Sequence, residues 1–141
     1  MAMNQGLWTE LQATFEHDIP VTAELLDLLQ RERKILEERK YDDFQQIISN
    51  KQHLLAQLEN HANTRQHLIQ QAGFANESNL LSAAEEQAPA VASALRQLDE
   101  QWRRCQKLNE INERIAKRTK LVVGHILDLM RGKTGETRLY T

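Results

Sequence analysis

Residues 89–132 read PAVASALRQLDEQWRRCQKLNEINERIAKRTKLVVGHILDLMRG. Apolar or small residues recur through this stretch at intervals of three or four, the spacing that places side chains on one face of an α-helix. The stripe consists of Val91, Leu95, Leu98, Trp102, Cys105, Leu108, Ile111 or Asn112, Ile115, Thr119, Val122, Ile126 and Leu129. Pro89 suits the first turn of a helix, and Gly132 suits its end. The pattern predicts one helix of about 40 residues, roughly 60 Å long.

Two further long helices are predicted before Gly73. The first carries Leu7, Leu11, Phe15, Val21, Leu25, Leu28 and Ile35 and ends near Arg39. The second carries Phe44, Ile47, Ile48, Leu54, Leu55, Leu58, Ala62, Leu68 and Ile69. Pro20 lacks a backbone donor and predicts either a kink or a restart of the first helix, with Asp18 as the N-cap after a restart. The apolar phase continues across Pro20, which favours the kink. Asp18 and Glu32 interrupt the first apolar stripe.

A short fourth helix is predicted between Gly73 and Pro89, where Ser82-x-x-Glu85 matches a capping box. The predicted fold is therefore all-α: an antiparallel bundle or coiled-coil hairpin of three long helices plus one short helix. We expect residues 1–132 to form a single helical domain and residues 133–141 to form a flexible, disordered C-terminal tail.

Composition excludes several classes of protein. The chain has 141 residues with 5 Gly, 2 Pro and 5% aromatic residues, which leaves little material for a sheet. No apolar run approaches the roughly 20 residues of a membrane span, and the N-terminus lacks the features of a signal peptide. Cys105 is the only cysteine and cannot form an internal disulfide. These features predict a cytoplasmic protein without stable membrane insertion.

No motif of catalysis or cofactor binding is found. None of the five histidines belongs to a Glu-x-x-His or His-Glu-x-x-His motif, and no Cys-x-x-Cys exists. Cys105 lies on the apolar stripe and is interpreted as a buried structural thiol. We therefore expect no enzymatic activity, no metal and no cofactor.

The last helix also carries a basic face. Its members are Arg103, Arg104, Lys107, Arg114, Lys117, Arg118 and Lys120. Four acidic residues (Asp99, Glu100, Glu110 and Glu113) are interspersed, many at the spacing of intrahelical ion pairs. This mixture favours a solvated face over a nucleic-acid partner.

The end of the last helix has more apolar surface than one stripe requires. Val123, Leu127 and Met130 lie beside the stripe and widen the apolar arc from about 100° to roughly 160°. This surface either packs deeper into the bundle or binds a partner helix. Asn109 and Asn112 lie on or beside the same stripe, where such residues can set the register of a coiled coil; surface exposure of Asn109 is the alternative.

The ordered set of helical landmarks resembles the FlgN family of flagellar export chaperones. The resemblance is carried by Tyr41-Asp-Asp-Phe-x-x-Ile-x-x-x-Lys51-x-x-Leu-Leu-x-x-Leu58, by Trp102-x-x-Cys105-x-x-x-Asn109-x-x-Asn112, by Leu129-Met-Arg-Gly132 and by the tail Glu136-Thr137-Arg138-Leu139-Tyr140. It spans about residues 10–140.

This resemblance implies a cytoplasmic chaperone of flagellar type III export whose cargo is the hook–filament junction proteins FlgK and FlgL. It implies that the chaperone prevents their premature association and delivers them to the export apparatus. The cargo-binding residues implied in the C-terminal helix are Val122, Val123, Ile126, Leu127 and Met130. Leu139 and Tyr140 are the implied contacts to the export-gate protein FlhA, although the chain ends at Thr141 where relatives continue. A coiled-coil scaffold or adaptor without export cargo is the alternative function, and a homodimer is left open.

Overall fold

Four α-helices make up the part of the chain that the computed structural model describes, residues 5–118. They are α1 (Gln5–Glu38), α2 (Phe44–Gln71), α3 (Glu77–Gln87) and α4 (Pro89–Arg118). No strand occurs within these residues. The predicted all-α fold of three long helices and one short helix is therefore confirmed. The extension of the last helix to Gly132, the tail 133–141 and every predicted binding residue lie outside the described residues.

The helix ends follow the local sequence at most positions. Arg39, directly after α1, adopts a left-handed conformation with φ of 57°, and Gly73 follows α2 with φ of 88°. Pro89 is the first residue of α4, as predicted. Ser82, however, lies inside α3, and the predicted capping box is wrong. The N-cap is Asn76, whose side chain accepts a hydrogen bond from the Asn79 backbone N–H at 2.9 Å.

α1 continues through Pro20 without a break. The prediction that Asp18 caps a restarted helix is wrong, because its side chain is completely buried and binds residues of α2. The Thr22 hydroxyl, one turn beyond Asp18, lies 2.7 Å from Oε1 of Gln101 on α4. The polar residues of the α1 stripe therefore connect helices.

α1 lies between the other two long helices. α2 runs antiparallel to it, since Glu32 contacts Lys51 while Asp18 contacts Arg65 further along α2. α4 runs parallel to α1, since Thr22 pairs with Gln101 and the Leu29 carbonyl pairs with Asn112. α2 ends beside the start of α1, and α3 packs on α4 at this same end of the bundle.

Within residues 5–118, the core consists of three apolar clusters that follow one another along α1. The first, at the N-terminal end of α1, contains Trp8, Leu11, Phe15, Ile69, Leu80, Ala84, Val91, Ala92, Ala94, Leu95 and Leu98. The second contains Leu25, Leu28, Leu29, Leu54, Leu58 and Cys105, and the third contains Leu36, Phe44, Ile48 and Ala116. Asp18 lies between the first and second clusters on α1, and Glu32 lies between the second and third. Two polar layers therefore divide the core.

Among residues 5–118, no helix combines the length and the apolar character that crossing a membrane requires.

Candidate partner-binding groove

An apolar groove runs between α2 and α4, with α1 as its floor. Both outer helices pack along α1 but make few contacts with each other. The larger part of the groove is a cavity of about 550 Å³ whose apolar lining is Phe15, Leu55, Leu58, Ala62, Leu95, Leu98 and Trp102. A second cavity of about 210 Å³ adjoins it and shares Leu55 and Trp102. We call this surface the α2–α4 groove.

The rim of the α2–α4 groove carries charged groups. Glu59, Glu77 and Asp99 are exposed and contribute to the lining of the larger cavity, and the nearly buried Arg65 lines it from below. Arg65 also packs its guanidinium group 5.1 Å from the centre of the Phe15 ring, a cation–π contact. An amphipathic helix would suit such a surface, because its apolar side can cover the floor while its polar side meets the rim.

One end of the groove is closed by a polar layer centred on Lys51. Its Nζ donates to both carboxylate oxygens of Glu32, at 2.9 and 2.8 Å, and to Oδ1 of Asn109 at 3.2 Å. Both charged side chains are completely buried. Burial lowers the pKa of Lys51, and the nearby Glu32 carboxylate opposes that effect. The layer joins α1, α2 and α4 at one level of the bundle.

Asn112 completes this polar layer from α4. Its side chain is fully buried, and Nδ2 donates to the Leu29 carbonyl at 2.9 Å and to Oε1 of Glu32 at 2.7 Å. A shift of α4 by one turn would remove both bonds. The interpretation that Asn109 and Asn112 set register agrees with these contacts.

A second polar layer lies under the larger cavity. The Arg65 guanidinium donates to Oδ2 of Asp18, and Nδ1 of His61 lies 2.5 Å from Oδ1 of the same carboxylate. Asp18 is fully buried and Arg65 is nearly so. Because the charges of Asp18 and Arg65 are paired, the carboxylate can lie in the interior, and the pair holds α2 against α1.

Cys105 lies in the wall of the smaller cavity. It is buried, and its Sγ is 3.5 Å from the Thr22 carbonyl. Burial raises the pKa of the thiol from 9.0 to about 11, although Arg104 opposes the shift. The prediction that this thiol is buried is confirmed.

The basic face of α4 is partly neutralised within the helix. Nε of Arg103 lies 3.0 Å from Asp99, and Nζ of Lys117 lies 3.4 Å from Glu113, both at the i,i+4 spacing. These pairs agree with the interpretation of a solvated face.

The sequence did not predict the α2–α4 groove. Leu55 and Trp102 both appeared on predicted stripes, but a stripe does not reveal that two helices stand apart. The predicted cargo-binding residues Val122, Val123, Ile126, Leu127 and Met130, like Leu139 and Tyr140, lie outside the described residues. The geometry of the α2–α4 groove given above therefore does not include them.

Comparisons with known proteins give one matching family and one similar solved structure. The family described as FlgN protein matches residues 1–141. Comparison with curated proteins finds no match. A crystal structure from Pseudomonas aeruginosa, described as that of a flagella synthesis protein FlgN, is similar to this chain with 30% sequence identity and a TM-score of 0.69. The similarity covers 83% of this chain and 94% of the other.

Proposed function

This chain belongs to the FlgN family, and from that premise we propose that it is a cytoplasmic chaperone of flagellar type III protein export. Its cargo is the hook–filament junction proteins FlgK and FlgL. The chaperone covers a helical segment of the cargo, prevents premature association and delivers the cargo to the export apparatus. No chemical step is required for this function.

The observation that carries the proposal is the α2–α4 groove. Its floor and walls are apolar, and Leu55 and Trp102 are only half-buried. A cargo helix lying between α2 and α4 would cover these side chains and complete a bundle of four long helices. Because such a segment must become ordered on binding, the net affinity is limited, which suits a chaperone that releases its cargo.

We place a second cargo contact on the segment after Arg118. Val122, Val123, Ile126, Leu127 and Met130 form the wide apolar arc of that segment in the sequence pattern. Leu139 and Tyr140 in the tail are proposed to bind the export-gate protein FlhA. Residues 1–132 serve as the cargo-binding domain and residues 133–141 as the tail.

Binding of purified FlgK and FlgL to single-residue variants tests this proposal. Leu55→Asp places a charge in the groove, and Leu127→Asp places one on the C-terminal segment. Ala56→Asp is the matched control, because Ala56 is the next residue of α2 and is exposed. We expect each of the first two variants to weaken binding about tenfold or more, a loss of about 1.4 kcal/mol, and the control to bind as the wild type does.

The outcomes separate site from function. If FlgK and FlgL still bind to Leu55→Asp but not to Leu127→Asp, the α2–α4 groove is not the cargo-binding site, and the chaperone function stands. If the wild type binds neither protein and forms a stable dimer by light scattering, the coiled-coil scaffold replaces the chaperone.

A further inference from the structure

Three metal-ligating side chains meet at the contact between α1 and α2. Nδ1 of His17 lies 3.6 Å from Oδ1 of Asp18, and Nδ1 of His61 lies 2.5 Å from the same oxygen. All three ligand atoms lie within 4.8 Å of one another. The two imidazole rings meet edge to face, with centroids 4.7 Å apart. One carboxylate oxygen is thus approached by a nitrogen of each of two histidines.

The carboxylate is held in place by a neighbour that does not compete for this oxygen. Arg65 donates to Oδ2 of Asp18 and leaves Oδ1 directed at the two histidines. Carboxylates that bind metals are commonly oriented by such an outer hydrogen bond. Asp18 is fully buried on the rigid α1 helix, so its position is determined by packing.

The spacing fits a tetrahedral ion after a small adjustment. Bonds of about 2.0–2.2 Å to nitrogen and oxygen place tetrahedral ligand atoms about 3.3–3.5 Å apart. The His17–Asp18 distance of 3.6 Å is already close to that value. His61 would retreat from Asp18 by about 1 Å or less to reach it. Its side chain is 32% exposed, so the core does not fully enclose the ring. The ligand atoms of the two histidines lie within 4.8 Å of each other and would move closer together around the ion.

We propose that His17, Asp18 and His61 bind one divalent transition-metal ion such as Zn²⁺. The ion links α1 to α2. Two imidazoles and one carboxylate favour zinc and its neighbours over magnesium or calcium. His17 is 57% exposed, so solvent can reach the site and water can occupy the fourth position. The adjacent Arg65 carries a positive charge and limits the affinity.

The sequence motifs predicted no metal site, because the known motifs place their ligands a few residues apart on one helix. His17 and Asp18 are adjacent on α1, and His61 is 43 residues beyond Asp18 on α2. Only the antiparallel packing of the two helices brings the three ligands together.

Zinc titration of the full chain by calorimetry near neutral pH tests the site. We expect one Zn²⁺ per chain, a higher thermal unfolding temperature in its presence, and a loss of affinity of about tenfold or more in His17→Ala and in His61→Ala. His53→Ala is the matched control, because His53 is exposed on α2 away from the cluster, and it should bind zinc as the wild type does. Co²⁺ should give the intense visible absorption of tetrahedral coordination in the wild type and not in His17→Ala.

His61→Ala also removes a contact to buried Asp18, whereas His17 is mostly exposed and its substitution leaves the core intact. The His17 variant is therefore the decisive one, with circular dichroism confirming its helical content. Absence of zinc binding by the wild type would overturn the proposal. So would binding that is unchanged in His17→Ala, or binding that is lost instead in His125→Ala.

Discussion

At the scale of single residues, Lys51 shows how a charge can be kept in a helical core. Its side chain is completely buried and its ammonium group meets Glu32 and Asn109. Removing two charges from water costs several kcal/mol per ion, and close pairing offsets that cost. The pair is therefore sensitive to the loss of one partner, because the remaining charge stays buried without the opposite charge that lay closest to it.

Lys51→Met is expected to reduce the free energy of unfolding by about 3–5 kcal/mol, measured by urea denaturation. The cause is the Glu32 carboxylate, which stays buried after the variant removes the ammonium group; the Asn112 amide still donates to it but carries no charge. The double variant Glu32→Leu with Lys51→Met should be more stable than Lys51→Met alone, since neither charge is then buried.

An exposed pair provides the comparison for this prediction. Arg33 lies 2.7 Å from Glu37 on α1, and both side chains are about half exposed. Arg33→Met should cost about 0–1 kcal/mol, because solvent screens the pair. If Lys51→Met costs no more stability than Arg33→Met, the loss of the Lys51 charge does not leave the buried Glu32 carboxylate at a high free-energy cost.

At the scale of elements, α1 combines a helix-breaking residue with the central position in the bundle. Pro20 lies inside this 34-residue helix and is exposed to solvent. Its ring removes one backbone hydrogen bond and crowds the preceding turn, which opposes helix formation by about 3 kcal/mol in an isolated helix. Packing of α1 against both α2 and α4 keeps the helix continuous despite this cost.

Pro20→Ala is therefore expected to raise the free energy of unfolding by about 1–3 kcal/mol, since it restores a hydrogen bond and loses no buried contact. Pro89→Ala is the matched control. Pro89 begins α4, where a backbone N–H would have no helical partner, so the change breaks no hydrogen bond. Alanine gives the unfolded chain more conformational freedom, which should lower the free energy of unfolding by no more than about 1 kcal/mol. A loss of stability in Pro20→Ala would mean that the helix geometry at Pro20 is required for packing.

At the scale of the whole molecule, α1 organises the domain. Three apolar clusters and two polar layers follow one another along it, and each layer contains a fully buried carboxylate. α2 and α4 pack on α1 and leave the α2–α4 groove between them. Residues 5–118 therefore present an apolar groove between two helices that pack on a third, and we propose that the α2–α4 groove holds a partner.

Truncation after Gly132 tests the proposed division into a domain and a tail. We expect the shortened chain to keep the free energy of unfolding of the full chain within about 0.5 kcal/mol, because surface residues outside a core contribute little. Cargo binding should also be retained, while binding to FlhA should be lost with Leu139 and Tyr140. A clear loss of stability would place residues 133–141 in the folded domain.

The sequence by itself determined the helices. The three- and four-residue spacing of apolar positions predicted three long helices, and Gly73 and Pro89 marked two of the boundaries correctly. Local chemistry is sufficient for this, because helical periodicity and backbone stereochemistry act over a few residues. The sequence also showed that Asp18 and Glu32 interrupt the apolar stripe of the first helix, but it did not predict which residues they contact.

Only the tertiary structure decided which side chains meet. Asp18 contacts Arg65 and His61, and Glu32 contacts Lys51, across the interface between the antiparallel helices α1 and α2. The α2–α4 groove likewise depends on the separation of two helices that both pack on a third. No local pattern contains this information, because contacts between residues distant in sequence depend on the packing of whole helices against one another.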